Sequence, residues 1–170
     1  MYYTGIGSRS TPAVMAKVIG QIARKLFHDP ELNYYLRTGD ASGADRMFSS
    51  AVPAEVYSVD SLRKITPEAL AKTAQLVRDY HPLKLEADSY AFKLHQRNAL
   101  QVLGPDLRTP SKFVICWANH STFDSNGLLT SVGGGTGQAI RIAFADGIQC
   151  FNLNHPPHFE RIQKWVGGEY

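Results

Sequence analysis

Hydrophobic positions in this chain alternate between two patterns. Short apolar runs read as buried strands: Met1 to Ile6, Tyr34 to Arg37, Ala54 to Val59, Lys112 to Trp117 and Ile148 to Leu153. Between them, apolar residues recur at helical spacing. Val14, Val18, Ile22, Leu26 and Phe27 give a first helix one apolar face, with Pro12 near its first turn and Ser10 or Thr11 as caps. A second helix starts near Ser42 or Gly43 and is broken at Val52-Pro53. Thr66-Pro67-Glu68 opens a third, running to Tyr80, with an N-cap, a proline at the first turn and an acid at the positive end. A long helix over Asp88 to Leu103 ends at Gly104-Pro105, and shorter ones cover Gln138 to Asp146 and Phe159 to Val166. Asn119 to Thr130 shows no periodicity and reads as a polar loop.

This alternation predicts a single-domain α/β fold over residues 1–170: a Rossmann-like, doubly wound, mainly parallel sheet flanked by helices. Lys112 to Trp117 is the expected central strand, because a continuous apolar run suits a sheet covered on both faces. No internal repeat or linker divides the chain.

Composition narrows the function classes. With 44% hydrophobic and 19% charged residues, the 170-residue chain is neither disordered nor highly solvated. A net charge of +3 suits an anionic small molecule without demanding a nucleic-acid partner. Cys116 and Cys150 sit in apolar runs and read as small core residues. The six histidines lack ligand spacing, so neither a metal nor a cofactor is expected. Arg9 and its polar neighbours interrupt any apolar leader, and no run of about 18 apolar residues exists. The expectation is a cytoplasmic protein with no membrane partner.

The candidate chemistry lies in three glycine-rich turns. Gly5-Ile6-Gly7-Ser8-Arg9 follows the first strand, where Gly7, Ser8 and Arg9 are candidate phosphate ligands. The third glycine of a dinucleotide fingerprint is missing, which argues against NAD. The second turn, Thr38-Gly39-Asp40-Ala41-Ser42-Gly43-Ala44-Asp45, supplies Gly39, Asp40, Ser42, Gly43 and Asp45, its carboxylates suited to a ribose or a base. The third, Gly133-Gly134-Gly135-Thr136-Gly137-Gln138, opens a helix. Its successive N–H groups form an anion nest, with Gln138 facing a ribose, although the lysine of a Walker A loop is absent. Arg97-Asn98 in mid-helix, and Trp117 and Asn119 at the end of the central strand, complete the candidate set, the last two placed to stack on and bond to a base.

Taken together, Gly5-Ile6-Gly7-Ser8-Arg9, Thr38 to Asp45, Arg97-Asn98 and Gly133 to Ala139 resemble the SLOG superfamily. That superfamily includes DNA-processing protein A, the Lonely-Guy phosphoribohydrolases and the small YpsA-related proteins. The likeness spans Tyr3 to about Asn152, and is greatest to the YpsA-related and DNA-processing-A-like branch, which also occurs in phages. The resemblance implies a fold that binds nucleotides or nucleotide-derived ligands, as a sensor or sequestering protein, and self-association through helices flanking the site. Two alternatives come with it: N-glycosidic hydrolysis or transfer, and single-stranded DNA binding. In the Lonely-Guy branch a catalytic Glu follows the glycine motif, whereas here Gln138 and Ala139 follow Gly137. Catalysis would then fall to Asp45 or Glu86.

Overall fold

The computed structural model describes residues 1–167. Five strands form one parallel sheet: β1 (Tyr2–Gly7), β2 (Tyr35–Gly39), β3 (Ala54–Tyr57), β4 (Phe113–Trp117) and β7 (Gln149–Asn152), in the order β3-β2-β1-β4-β7. Register is set by pairs such as Tyr3 with Leu36, Ile6 with Cys116 and Ile115 with Phe151. The chain winds outward from β1 through β2 to β3, then returns to lay β4 on the other side of β1. That reversal puts the topological switch point between β1 and β4, where open α/β sheets hold their ligands beyond the strands' carboxyl ends. The predicted fold class is the one observed: a single-domain, Rossmann-like α/β protein. Among the described residues no helix is long and apolar enough to cross a membrane.

Strand parity divides the core in two. Tyr3, Phe113, Ile115, Trp117 and Phe151 face a layer built by α1 (Met15–His28), α2 (Ala44–Ser49) and α6 (Pro156–Gly167). Ile6, Val114, Cys116 and Cys150 face the opposite layer, which includes α4 (Tyr90–Leu103) and α5 (Thr136–Ala145). Alternate residues of a strand point to opposite faces, so β4 is buried at every position. Both cysteines are buried and free, as their apolar neighbours suggested.

Most predicted elements are present, with shifted ends. The third helix, α3 (Pro67–Tyr80), starts as its sequence dictates: Thr66 Oγ1 accepts the Ala69 N–H at 3.1 Å. The first helix begins later than its proline suggests, at Met15. Ser10 and Thr11 do not cap it; their hydroxyls close the preceding loop, Ser10 on Ser8 Oγ at 2.7 Å and Thr11 on Ser8 O at 2.6 Å. The stretch expected to be an irregular loop contains a hairpin, β5 (Thr122–Phe123) with β6 (Leu129–Ser131). Asp124 Oδ1 accepts the N–H groups of Asn126 and Leu128, an Asx-type turn joining strands too short to show a period.

Candidate functional site

A cleft of about 810 Å³ opens at the carboxyl ends of the strands, beside the switch point. One wall is the loop after β1, Gly7 to Ser10. The floor is the β2–α2 turn, with Asp40, Ala41, Ser42 and Asp45. The far wall combines α4 with Gly133, Gly134, Gly135 and Thr136 at the start of α5. The three glycine-rich turns, far apart in sequence, thus converge on one cavity.

Both loops are held at the end of β4. The Trp117 carbonyl accepts the Ser8 N–H at 2.9 Å, and the Asn119 carbonyl accepts the Gly133 N–H at 2.7 Å. The side chains of these two residues do something else. Trp117 is 8% exposed and packs in the α1–α2–α6 layer. It shares strand parity with Phe113 and Ile115, which turns it away from α4. Asn119 is exposed and pairs with Asn154 at 3.1 Å. Neither lines the cleft.

The β2 turn is organised around a buried carboxylate. Asp45 Oδ1 accepts the Gly7 N–H at 3.1 Å, and Oδ2 accepts the Ala41 N–H at 3.4 Å, so one side chain ties the first two turns together. Burial pushes its carboxyl up to about 6, against the opposing pull of the Arg97 charge and the two N–H groups. Two glycines make this packing feasible. A side chain at Gly39 would collide with Arg97, Asp45 and Gln101, and Gly43, at φ +82°, lies against the Ser8 carbonyl. Gly39 and Gly43 therefore shape the site without lining it.

Arg97 and Asn98 connect the two ends of the cleft. Arg97 Nη1 donates to Asp40 Oδ1 at 3.2 Å and to the Tyr57 carbonyl at 3.3 Å, and lies 3.9 Å from Asp45 Oδ2. The Gln101 amide, oriented with its oxygen toward the donors, accepts from Arg97 Nη1 at 2.9 Å and from the Gly39 N–H at 3.2 Å. Asn98 faces the other way. Its Nδ2 reaches Gln138 Oε1 at 3.0 Å, Gly135 O at 3.3 Å and His95 Nδ1 at 3.4 Å. Gln138 is fully buried and lies outside the cleft lining, its Oε1 accepting from Asn98. Glu86 is exposed on the loop before α4 and does not line the cleft.

Several lining residues lay outside the sequence-derived set: Ser10, Tyr90, Leu94, His95 and Gln101. A signal for them existed. Tyr90, Leu94, Arg97, Asn98 and Gln101 follow helical spacing along one stripe of α4. Polar residues at helical spacing would ordinarily mark a solvated face, yet Gln96, Arg97, Asn98 and Gln101 are all buried. His95 packs its ring 4.2 Å from that of His81, and burial, with the neighbouring His81 charge, lowers it to about 4.

The electrostatics of the cleft are polarised. Arg9 is exposed on the first wall and, among the described residues, has no ion-pair partner. The start of α5, whose first-turn N–H groups carry partial positive charge, lines the same cleft. The carboxylates of Asp40 and Asp45 occupy the floor. No group of residues among those described is arranged to hold a metal ion. Comparisons with protein-family models, with curated proteins and with solved structures find no significant match to this chain.

Proposed function

We propose that this cleft binds a nucleotide or nucleotide-derived ligand, and that the protein works as a sensor or sequestering protein. The observation carrying this reading is that Arg9, which has no ion-pair partner among the described residues, and the glycine-rich start of α5 line one cavity. Together they offer a bidentate cation and backbone donors to a phosphate. Asp40 on the floor offers an acceptor to the neutral, hydroxylated part of the same molecule. Retention without turnover is supported by Gln138. It occupies the position where the resemblance to the Lonely-Guy branch leads one to seek a carboxylate, and it is buried, hydrogen-bonded to Asn98 and unable to do acid–base work.

A second reading, cleavage or transfer at an N-glycosidic bond, is favoured by one observation: Asp45 lines the cleft with a carboxyl poised near 6. Against it, both Asp45 oxygens already accept backbone N–H groups. Incubating the protein with nucleoside mono-, di- and triphosphates, cyclic nucleotides and ADP-ribose derivatives separates the two. Melting shifts with intact ligand on chromatography support binding. Free base among the products supports the glycosidase, and Asp45→Asn should then abolish it.

A further inference from the structure

A second cavity, of about 720 Å³, lies at the other end of the sheet from the cleft, between α6 and the amino ends of β4 and β7. It exists because α6 is lightly seated. Among its described residues only Ile162 is buried, while Phe159, Trp165 and Val166 stay partly exposed. The walls are aromatic. Phe113 and Phe151 come from the sheet and Trp165 from the helix, its ring edge-on to Phe113 with centroids 5.1 Å apart.

Charge around this cavity is uneven. Lys112, Arg161 and Lys164 line it against one acid, Glu160, and among the described residues none of the four has an ion-pair partner. The Arg161 guanidinium stands over Phe151, 5.3 Å from the ring centroid, so a cation and an aromatic wall are presented together. A planar guanidinium loses little freedom when it takes a carboxylate.

These features select a ligand class. The volume is that of a small-molecule pocket, which typically spans about 300–1,000 Å³. A bare inorganic anion would answer the cations but leave the aromatic walls in water. A neutral hydrocarbon would cover the walls but leave the cations unanswered. An apolar body carrying one acidic group answers both. We propose that this cavity binds an amphipathic small-molecule anion, its apolar body against Phe113, Phe151 and Trp165 and its carboxylate on Arg161 and Lys112. The site is separate from the nucleotide cleft and does not depend on that reading.

The probe is anilinonaphthalene sulfonate, a fluorescent aromatic anion, titrated against the full chain. It is then displaced by decanoate and naphthoate, or by the neutral alcohols decanol and naphthalenemethanol. One saturable site should appear, and the acids should displace the probe about tenfold more effectively than their alcohols. Lys112→Gln combined with Arg161→Gln should weaken the probe and both acids about tenfold or more. Both side chains are exposed, so this double variant should fold as the wild type does. Trp165→Leu should weaken acids and alcohols together, because it removes apolar wall and no charge. Absence of a saturable site overturns the assignment, as does equal displacement by acids and alcohols, or wild-type affinity in the double variant. Weakening of the probe by Arg9→Ala in place of the double variant puts it in the nucleotide cleft and overturns the assignment too. So does displacement by an acidic, aromatic peptide where neither acid competes, since that marks a surface for a protein partner.

Discussion

The Arg97 guanidinium lies 3.2 Å from the carboxylate of Asp40, a residue 57 positions earlier in the chain. Through that contact a helix in the middle of the sequence fixes the turn after the second strand. The next residue, Asn98, does the same for the glycine loop that opens α5. Consecutive side chains of one helix thus tie the turn that carries Asp40 and the glycine loop at the start of α5 to the same scaffold.

Arg97 also offsets the buried charge of Asp45, 3.9 Å away. Removing it leaves that charge without compensation, a change that typically costs about 3–5 kcal/mol. The loss should be largest near pH 8. At pH 5 the Asp45 carboxyl, already raised by burial, takes up a proton and escapes the cost. Denaturant unfolding of Arg97→Gln at the two pH values checks this; equal losses would show that Asp45 is not the group affected.

Acid should destabilise the fold through two histidines. His95 and His158 are each lowered from 6.5 to about 4, primarily by burial, and His158 Nδ1 accepts the Asn152 N–H at 3.0 Å. Neutral imidazole is the form the folded state favours. Their contribution is present above pH 6.5 and is lost as pH falls through about 4. Asp45 runs the other way: its share is fully present below 3.8 and is lost as pH rises through about 6. Unfolding free energies from pH 4 to 7 should therefore fall less steeply toward acid in a His95→Gln, His158→Gln double variant than in the wild type. Asp45→Asn should gain on the wild type as pH rises through that range.

Gly39→Ala should be disruptive although it adds only one methyl group. That methyl would run into Arg97, Asp45 and Gln101 together, and such overpacking costs about 1–3 kcal/mol. Calorimetric melting gives the stability change, and loss of whatever ligand affinity the wild type shows should accompany it.

Trp117 separates scaffold from site. Its carbonyl holds the loop after β1 while its ring fills the core. Trp117→Phe keeps the carbonyl and shrinks the ring. It should cost about 1–3 kcal/mol of stability and leave ligand affinity within twofold. A selective loss of affinity would place the ring in the binding site after all.

The sheet, its helices and the convergence of three glycine turns were legible from the chain, because strands with continuous apolar runs and a helix start such as Thr66-Pro67 are local signals. What was not legible depended on direction. Trp117 follows four apolar residues of a strand buried on both faces, so hydrophobicity alone does not say which face it takes; its parity with Phe113 and Ile115 does. The stripe through Tyr90, Leu94, Arg97 and Gln101 went unread because polar residues at helical spacing usually mark a solvated face. Here the polar residues from Gln96 to Gln101 are buried, Gln96 against Thr73, Arg97 against Asp40 and Asn98 against Gln138. The hairpin at Thr122–Phe123 and Leu129–Ser131 was missed because its strands are too short to show a period.

The proposed phosphate clamp is Arg9 together with the start of α5. The most direct measurement is calorimetric titration of wild type and Arg9→Ala with nucleoside 5′-phosphates and their parent nucleosides. Arg9 is exposed, so its removal should leave stability within about 0.5 kcal/mol. At least one nucleotide should bind, its nucleoside should bind far more weakly, and Arg9→Ala should weaken the nucleotide more than tenfold, about 1.4 kcal/mol. Equal affinity of Arg9→Ala and wild type, or of nucleotide and nucleoside, would contradict it.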